Sequence, residues 1–220
     1  MKAHAPAHPD DATRHQLLEA AGGVFAEAGY RDATVREICR RAGANIAAVN
    51  YHFGDKEKLY AEVLRYSHGK TLEKHPPLLG VAADAPPEKK LRAFVLSLLL
   101  RIFDQGPTAW HGKLMAREMI EPTAALDLLV EERIRPMSDQ LRKIVAEILD
   151  CPLNDERVQL CGFSVVSQCM FYHHCQPVIL RLFPRQAFDP AGIARLAEHI
   201  ARFSLAAMRN LPETKPTKMK

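Results

Sequence analysis

The sequence has little that would commit it to a membrane, a disulfide scaffold or a metal site. Its longest apolar stretch, Phe94 to Leu100, is broken by Ser97 and bounded by Arg92 and Arg101. A bilayer span needs about 20 apolar residues. The five cysteines form an odd set with no C-x-x-C spacing, which argues against a disulfide framework or a zinc knuckle. Met1 to Asp10 carries Pro6 and Pro9 among Ala and His without an apolar run, so a secretory signal is not expected and a cytoplasmic location is. Nor is there a charge excess to exploit. The net charge is +4, but residues 1–70 hold ten basic against nine acidic side chains and 71–208 balance at sixteen each. Most of the excess sits in the last twelve residues. Any nucleic-acid reading must therefore rest on where charges lie, not on their number.

What is present is helical periodicity. At 47% hydrophobic and 25% charged, the 220 residues suit a soluble globular protein of one sizeable domain or two small ones. From Asp11 to Ala28 the apolar residues Leu17, Leu18, Ala21, Val24, Phe25 and Ala28 step by one, three and four, and Gly29 is placed to end the helix. Gly22 and Gly23 inside it predict close helix packing. Thr34 to Glu37 reads as a capping box in which the Glu37 carboxylate reaches back to Thr34. Val35, Ile38, Cys39 and Ala42 form the buried face of that helix, and Gly43 ends it. Asn45 then caps Ile46–Phe53, Gly54-Asp55 breaks the chain, and a helix restarts at Lys56.

Four prolines between His75 and Pro87 mark a loop. Further helices are expected at 88–104, 108–120, 122–134, 136–149, 154–175 and 189–210. Gly106-Pro107, Pro122, Pro136, Cys151-Pro152, Pro177 and Pro184 provide the breaks. Strand alternation is absent, so the expected fold class is all-α. It comprises a three-helix unit over residues 11–70, a larger helical bundle over 71–210, and flexible tails at 1–10 and 211–220.

Two short helices joined by Gly43-Ala44-Asn45 have helix-turn-helix spacing, in which the second helix enters the major groove. Spacing alone is a weak signal. More specific are Phe25-Ala26-Glu27-Ala28-Gly29-Tyr30, Thr34-Val35-Arg36-Glu37-Ile38, Ala42-Gly43 and the run Val49 to Tyr60, with its Tyr-His-Phe-x-x-Lys-x-x-Leu element. Together they resemble the N-terminal domain of TetR-family repressors, in order and without gaps to about Arg65. Ala116 to Thr123 resembles the subgroup with a CerR-like C-terminal domain. The resemblance implies phosphate contacts from Tyr51 and Lys56, and from Thr34 at the start of its helix. Their chemistry agrees, since phenol, hydroxyl and ammonium groups near helix N-termini all donate to phosphate oxygen. His52 either touches phosphate or supports the corner behind it. Arg36, Arg40 and Arg41 lie on the helix that crosses the backbone, and at least one of them is expected on a phosphate.

Base reading would fall to Ile46, Ala47, Ala48 and Asn50, with Asn45 as cap. Here the sequence departs from the commoner family pattern: Ile46 replaces a Lys and Asn50 a Tyr. The helix thus lacks a basic partner for guanine, while Ile and Ala suit thymine methyls and Asn suits adenine.

For residues 71–210 the resemblance implies a ligand-binding and dimerising bundle. Trp110, His111, Met115, Arg117, Glu118, Gln168 and His173 are candidate ligand contacts. The first cluster reads more readily as a plain helix with an Arg117–Glu121 pair than as a polar-studded pocket. Phe163, Val166, Met170, Leu196, Ile200 and Phe203 are candidate dimer contacts, on stripes that could also face the core. Cys161, Cys169, His173, His174 and Cys175 share one helix, so a tetrahedral metal site would need ligands from elsewhere; packing or pocket lining is the expected role, ahead of a metal site or a redox-sensing thiol, and no metal or cofactor is assigned. Ser164 and Ser167 near His173 lack a nucleophile elbow and an acid partner, so no catalysis is expected. The expected partners are double-stranded DNA, a second copy of the chain and a small-molecule effector, with no membrane. The competing reading is a helical ligand carrier or enzyme in which the helix-turn-helix only packs.

Overall fold

Amphipathic stripes and capping residues decide the architecture, and every regular element is helical among the described residues, which are 9–104 and 110–212 of the computed structural model. Of the tails expected at 1–10 and 211–220, residues 1–8 and 213–220 lie outside them, as do the Gly106-Pro107 break and the Thr108 helix start. Packing divides the chain differently from a single boundary near residue 70. One unit runs to Glu73 and takes in Asp104–Arg133; the other joins Lys74–Phe103 to the chain from Ile134.

In the first unit, α1 (Pro9–Asp32) begins inside the stretch expected to be a tail. Gly29 does break its helical geometry, with φ of 80° and ψ of 171°, but the chain resumes a turn as far as Asp32. Leu17, Leu18, Ala21, Val24 and Phe25 line its buried face. They pack with Ile38 and Cys39 of α2 (Val35–Ala42), Val49 and Phe53 of α3 (Ile46–Phe53), and Leu59, Tyr60, Val63 and Leu64 of α4 (Lys56–Lys74). The unit is completed by α6 (Trp110–Ile120) and α7 (Ala124–Leu129).

Contact between α1 and α6 depends on Gly22. A Cβ there would lie 2.3 Å from Cζ2 of Trp110, so the indole occupies the space that any other residue would fill. Gly23 faces the other way, and Arg41 Nη1 lies 4.0 Å from where its Cβ would be.

The second unit contains α5 (Pro87–Ile102), α8 (Arg135–Leu149), α9 (Glu156–His174), α10 (Gln176–Leu182) and α11 (Pro190–Arg209). Its core joins Leu91, Phe94, Leu99, Leu141, Val145, Val165, Leu196 and Ile200. Ion pairs Arg209–Glu88 and Arg92–Glu198 run in opposite chain order, which sets α5 and α11 antiparallel. The expected break at Pro177 instead lies in the first turn of α10, where its missing N–H costs nothing. Before Pro136 the chain forms a π turn, Val130–Ile134, and a widened turn relieves the clash of the proline ring with the preceding turn.

Gly22→Ala should lower unfolding free energy by about 1–3 kcal/mol through overpacking against Trp110. Gly23→Ala, with no such neighbour, should raise it by up to about 1 kcal/mol through helix propensity. Denaturant melts of the two variants check both signs.

Candidate nucleic-acid interface

The turn between α2 and α3 is fixed at both ends by backbone chemistry. Gly43 has φ of 64° and sends its N–H to the Arg40 and Cys39 carbonyls, closing α2. A left-handed residue is required there, and glycine alone adopts it without steric cost. The Cys39 thiol then donates to the Asn45 carbonyl at 3.4 Å. Asn45 caps α3 by accepting from the Ala48 amide at 2.9 Å. Val49 and Phe53 are buried beneath α3. Its projection from the unit is therefore rigidly defined.

On the outer side, Asn45, Ile46, Ala47, Asn50 and Tyr51 are exposed, with Ile46 at 51% and Tyr51 at 76%, while Ala48 is half-buried. Thr34 is exposed and accepts the Glu37 amide at 3.2 Å. The reciprocal half of the expected capping box does not form. Glu37 instead takes three hydrogen bonds from Arg40 and Arg41 at 2.7–2.8 Å. Arg41 is further bound by Glu27 at 2.7 and 3.0 Å. Two of the three basic side chains of α2 are thus already neutralised locally, leaving Arg36 as its exposed unpaired cation among the described residues.

His52 turns inward. Its side chain is only 8% exposed, its Nε2 lies 3.6 Å from Asp10, and its ring meets the rings of Tyr51 and Phe53. The geometry is that of a corner support. Lys56, half-buried at the start of α4, lies 4.8 Å from the Tyr30 ring centroid and donates to the Arg31 carbonyl at 3.1 Å. Two of its three donor hydrogens remain for an outside acceptor.

The residues expected to contact a ligand divide between the units. Trp110, His111, Met115, Arg117 and Glu118 sit on α6 in the first unit, and four of them have structural partners. Trp110 fills the Gly22 notch, and His111 Nδ1 shares a hydrogen bond with Ser67 at 2.8 Å. Arg117 does not pair with Glu121; it donates to the Ala26 and Glu27 carbonyls at 3.2 and 2.8 Å. Glu118 is 1% exposed and accepts from Tyr60 at 2.5 Å and from the Thr123 amide at 3.0 Å. The two on α9 belong to the second unit: Gln168 donates to Ser204 at 3.2 Å, and His173 lies against Phe103. A surface cleft of about 480 Å³ beside Glu147 and Cys151, and one of about 420 Å³ beside Arg14 and Glu62, contain none of the seven.

The expected dimer stripe also separates. Phe163 and Phe203 are each 61% exposed, and Val166 and Met170 are half-buried. Leu196 and Ile200 are core residues, at 7% and 0%. On α11 the exposed face instead carries Arg195, His199, Arg202 and Phe203. Leu160 and Phe171 extend the exposed apolar face of α9. Helical periodicity showed that α11 had an apolar face but could not show which residues point outward. Cys161 and Cys169 are buried, and desolvation pushes the Cys169 thiol up to about 12, which opposes thiolate chemistry.

An all-helical chain with a capped, rigid helix-turn-helix and a separate helical bundle defines a class of DNA-binding regulator. Comparison with known proteins agrees. Residues 17–63 match the bacterial regulatory proteins of the tetR family. Residues 87–208 match the C-terminal domain of the HTH-type transcriptional dual regulator CecR, so the subgroup is CecR-like rather than CerR-like in name. The chain is 31% identical to that regulator from Shigella flexneri over 184 residues, 80% of this chain and 82% of the relative. It belongs to the TetR family of transcriptional regulators, with a CecR-type C-terminal domain. The fold is shared with FadR of Bacillus halodurans (TM-score 0.64, 18% identity, covering 94% and 99% of the two chains) and with PfmR of Thermus thermophilus (0.62, 20%, 91% and 98%).

Glu37 should titrate near 2, against 4.5 for an ordinary glutamate, because Arg40 and Arg41 favour its charged form. The sign follows: its contribution is present above the ordinary value and is lost as pH falls towards 2. Carboxyl-resonance titration by NMR checks this, and Arg41→Ala should move the midpoint upward.

Proposed function

We propose that the protein is a dimeric repressor that binds an inverted-repeat operator through α3 and is released by a small molecule. The observation that carries this reading is the outer face of α3. Asn45, Ile46, Ala47 and Asn50 are exposed on a helix whose turn, cap and buried side are all fixed. In this reading Asn50 pairs with adenine, Ile46, Ala47 and Ala48 press on thymine methyls, and Thr34, Arg36, Tyr51 and Lys56 position the head on phosphates. His52 acts from behind, by holding the corner.

Dimerisation supplies what one head lacks. A single head makes too few base contacts to single out an operator, whereas joining two makes the second attachment intramolecular. The exposed apolar side chains of α9 and α11, Phe163 and Phe203 foremost, are the surface that suits a two-fold. The effector site is assigned to the second unit, since most of the α6 candidates are held in internal packing. Effector binding would favour a conformer whose two α3 helices no longer match successive major grooves.

Titration of the protein against its own upstream DNA at two salt concentrations tests the reading. Lys56→Ala should weaken binding to all sequences alike and reduce the salt slope by about 1. Asn50→Ala should instead cost about 1–3 kcal/mol at one operator position and relax discrimination there. Absence of saturable binding at low salt would favour a ligand carrier or enzyme.

Assembly is tested by placing a charge on each side of α11. Phe203→Glu should split the dimer and weaken operator binding while helicity is kept. Ile200→Glu should unfold the second unit, because it buries an unpaired charge. Sedimentation velocity and circular dichroism on both variants distinguish the two outcomes, and a monomeric wild type that retains tight operator binding would defeat the dimer.

A further inference from the structure

Among the described residues, Arg101 is the one charged side chain of the second unit whose burial the fold itself does not explain. It is 7% exposed, in the last turn of α5. A guanidinium removed from water is ordinarily matched by a carboxylate. Lys90, equally buried on the same helix, follows that rule by pairing with Glu147. Arg101 does not. Its Nε donates to the Ser97 carbonyl at 3.2 Å, and its Nη1 points at the Met137 thioether at 2.6 Å. Both partners are neutral, and the sulfur is a weak acceptor. Nη2 is buried with no partner. No acidic side chain pairs with the group among the described residues, and residues 105–109 of the sequence contain no acid. Burial alone lowers its pKa to about 10, which still leaves it charged at neutral pH.

The surroundings are specific. Arg101 lies in the last turn of α5 and Phe103 just after it, at the end of the bundle where α8 begins with Met137 in its first turn, α9 has His173 in its last turn, and Phe188 precedes α11. Phe103 stacks on Phe188 at 5.0 Å and meets the edge of His173 at 5.7 Å. His173 Nδ1 is a second buried polar atom without a partner. Burial and the neighbouring His174 favour its neutral ring, which can offer one N–H without adding charge. One end of the bundle thus carries a fixed cation against a thioether and, in the Phe103–Phe188–His173 cluster at that same end, an unused neutral donor or acceptor beside aromatic rings.

We propose that this end of the second unit binds a small organic carboxylate, with the Arg101 guanidinium holding the anion and Phe103, Phe188 and Met137 flanking its apolar body. The planar fork of an arginine matches a carboxylate in two parallel hydrogen bonds, and a dry setting strengthens them. The charge left uncompensated in the free protein becomes the source of selectivity, because a neutral amide can accept one hydrogen bond from Nη2 but leaves the guanidinium charge unmatched and offers no second oxygen to its fork. This deepens the ligand-release reading above, and rests on it only for what binding does to DNA.

The test uses the full chain and two matched pairs, octanoate with octanamide and benzoate with benzamide, with inorganic phosphate as a further anion. At constant ionic strength a carboxylate at a hundredfold excess over its Kd should raise the Tm by about 5 °C, while its amide and phosphate leave it unchanged. Arg101→Met keeps the length of the stem and removes the charge. It should leave the Tm unchanged or raise it, and should abolish the carboxylate response. A lower Tm for Arg101→Met would make the guanidinium a member of the fold and overturn the proposal. So would a carboxylate response retained in that variant, an equal response to the amides or to phosphate, or no response of the wild type to either carboxylate. Fluorescence anisotropy of operator DNA separates the two readings. Carboxylate-specific stabilisation without release keeps the site and rejects ligand-triggered release; release by octanamide as readily as by octanoate does the reverse.

Discussion

A buried carboxyl group is the constraint around which the first unit is arranged. Glu118 accepts from the Tyr60 hydroxyl, the Thr123 amide and the Thr123 hydroxyl, and Thr123 in turn caps α7 through the Ala125 amide. One side chain thereby ties α6 to α4 and sets the turn into α7. The Tyr60 ring lies against Phe25 at 4.8 Å and Tyr30 at 4.9 Å, and Tyr30 carries Lys56 over its face. Burial and the adjacent Glu118 both push the Tyr60 phenol upward, so it remains a proton donor across the working range. Removing the carboxyl would strand a phenol and a backbone amide inside the unit, and each stranded group costs about 1–3 kcal/mol.

Electrostatics at the DNA-facing side are economical. The outer face of α3 carries no cation, and Glu27 and Glu37 hold Arg40 and Arg41 in a local network. Positioning charge in the proposed complex therefore comes from Arg36 and Lys56, at points set by α2 and by the start of α4. In that complex such an arrangement would weaken general attraction to DNA, which scales with the number of phosphates neutralised, relative to the base contacts proposed for α3. It also accounts for a head whose net charge is close to zero.

Burial in the second unit answers two different needs. Leu196 and Ile200 fill the core, while Phe163 and Phe203 remain outside it at 61% exposure. Large aromatic side chains left in water are a surface awaiting a partner. Arg101 is the opposite case: a charge withdrawn from water without an internal partner. An exposed apolar face and a buried lone charge are both costs in the isolated chain, and the proposed dimer and carboxylate would each remove one of them.

Much of this was legible along the chain because it is local. Capping by Thr34 and Asn45, termination at Gly43 and Gly54, and the buried stripes of α1 to α4 all depend on residues within one or two helical turns. The sequence could not say where α6 belongs, because the Trp110–Gly22 and Arg117–Ala26 contacts join residues about ninety apart. Nor could it choose between the Glu37 partners: a capping box and an arginine pair use the same carboxylate, and the pair prevailed. Arg101 stood in view as the boundary of an apolar run, and its spacing of seven from Phe94 already put it on the buried face. A charged residue at that position is normally taken to reach water. Its entombment follows from the packing of α8 against α5, as do the inward turns of Leu196 and Ile200 from the packing of α11. Periodicity determined that these helices have apolar faces. Only the neighbours brought together by folding decided which faces are closed, because burial depends on every surrounding element and periodicity depends on one.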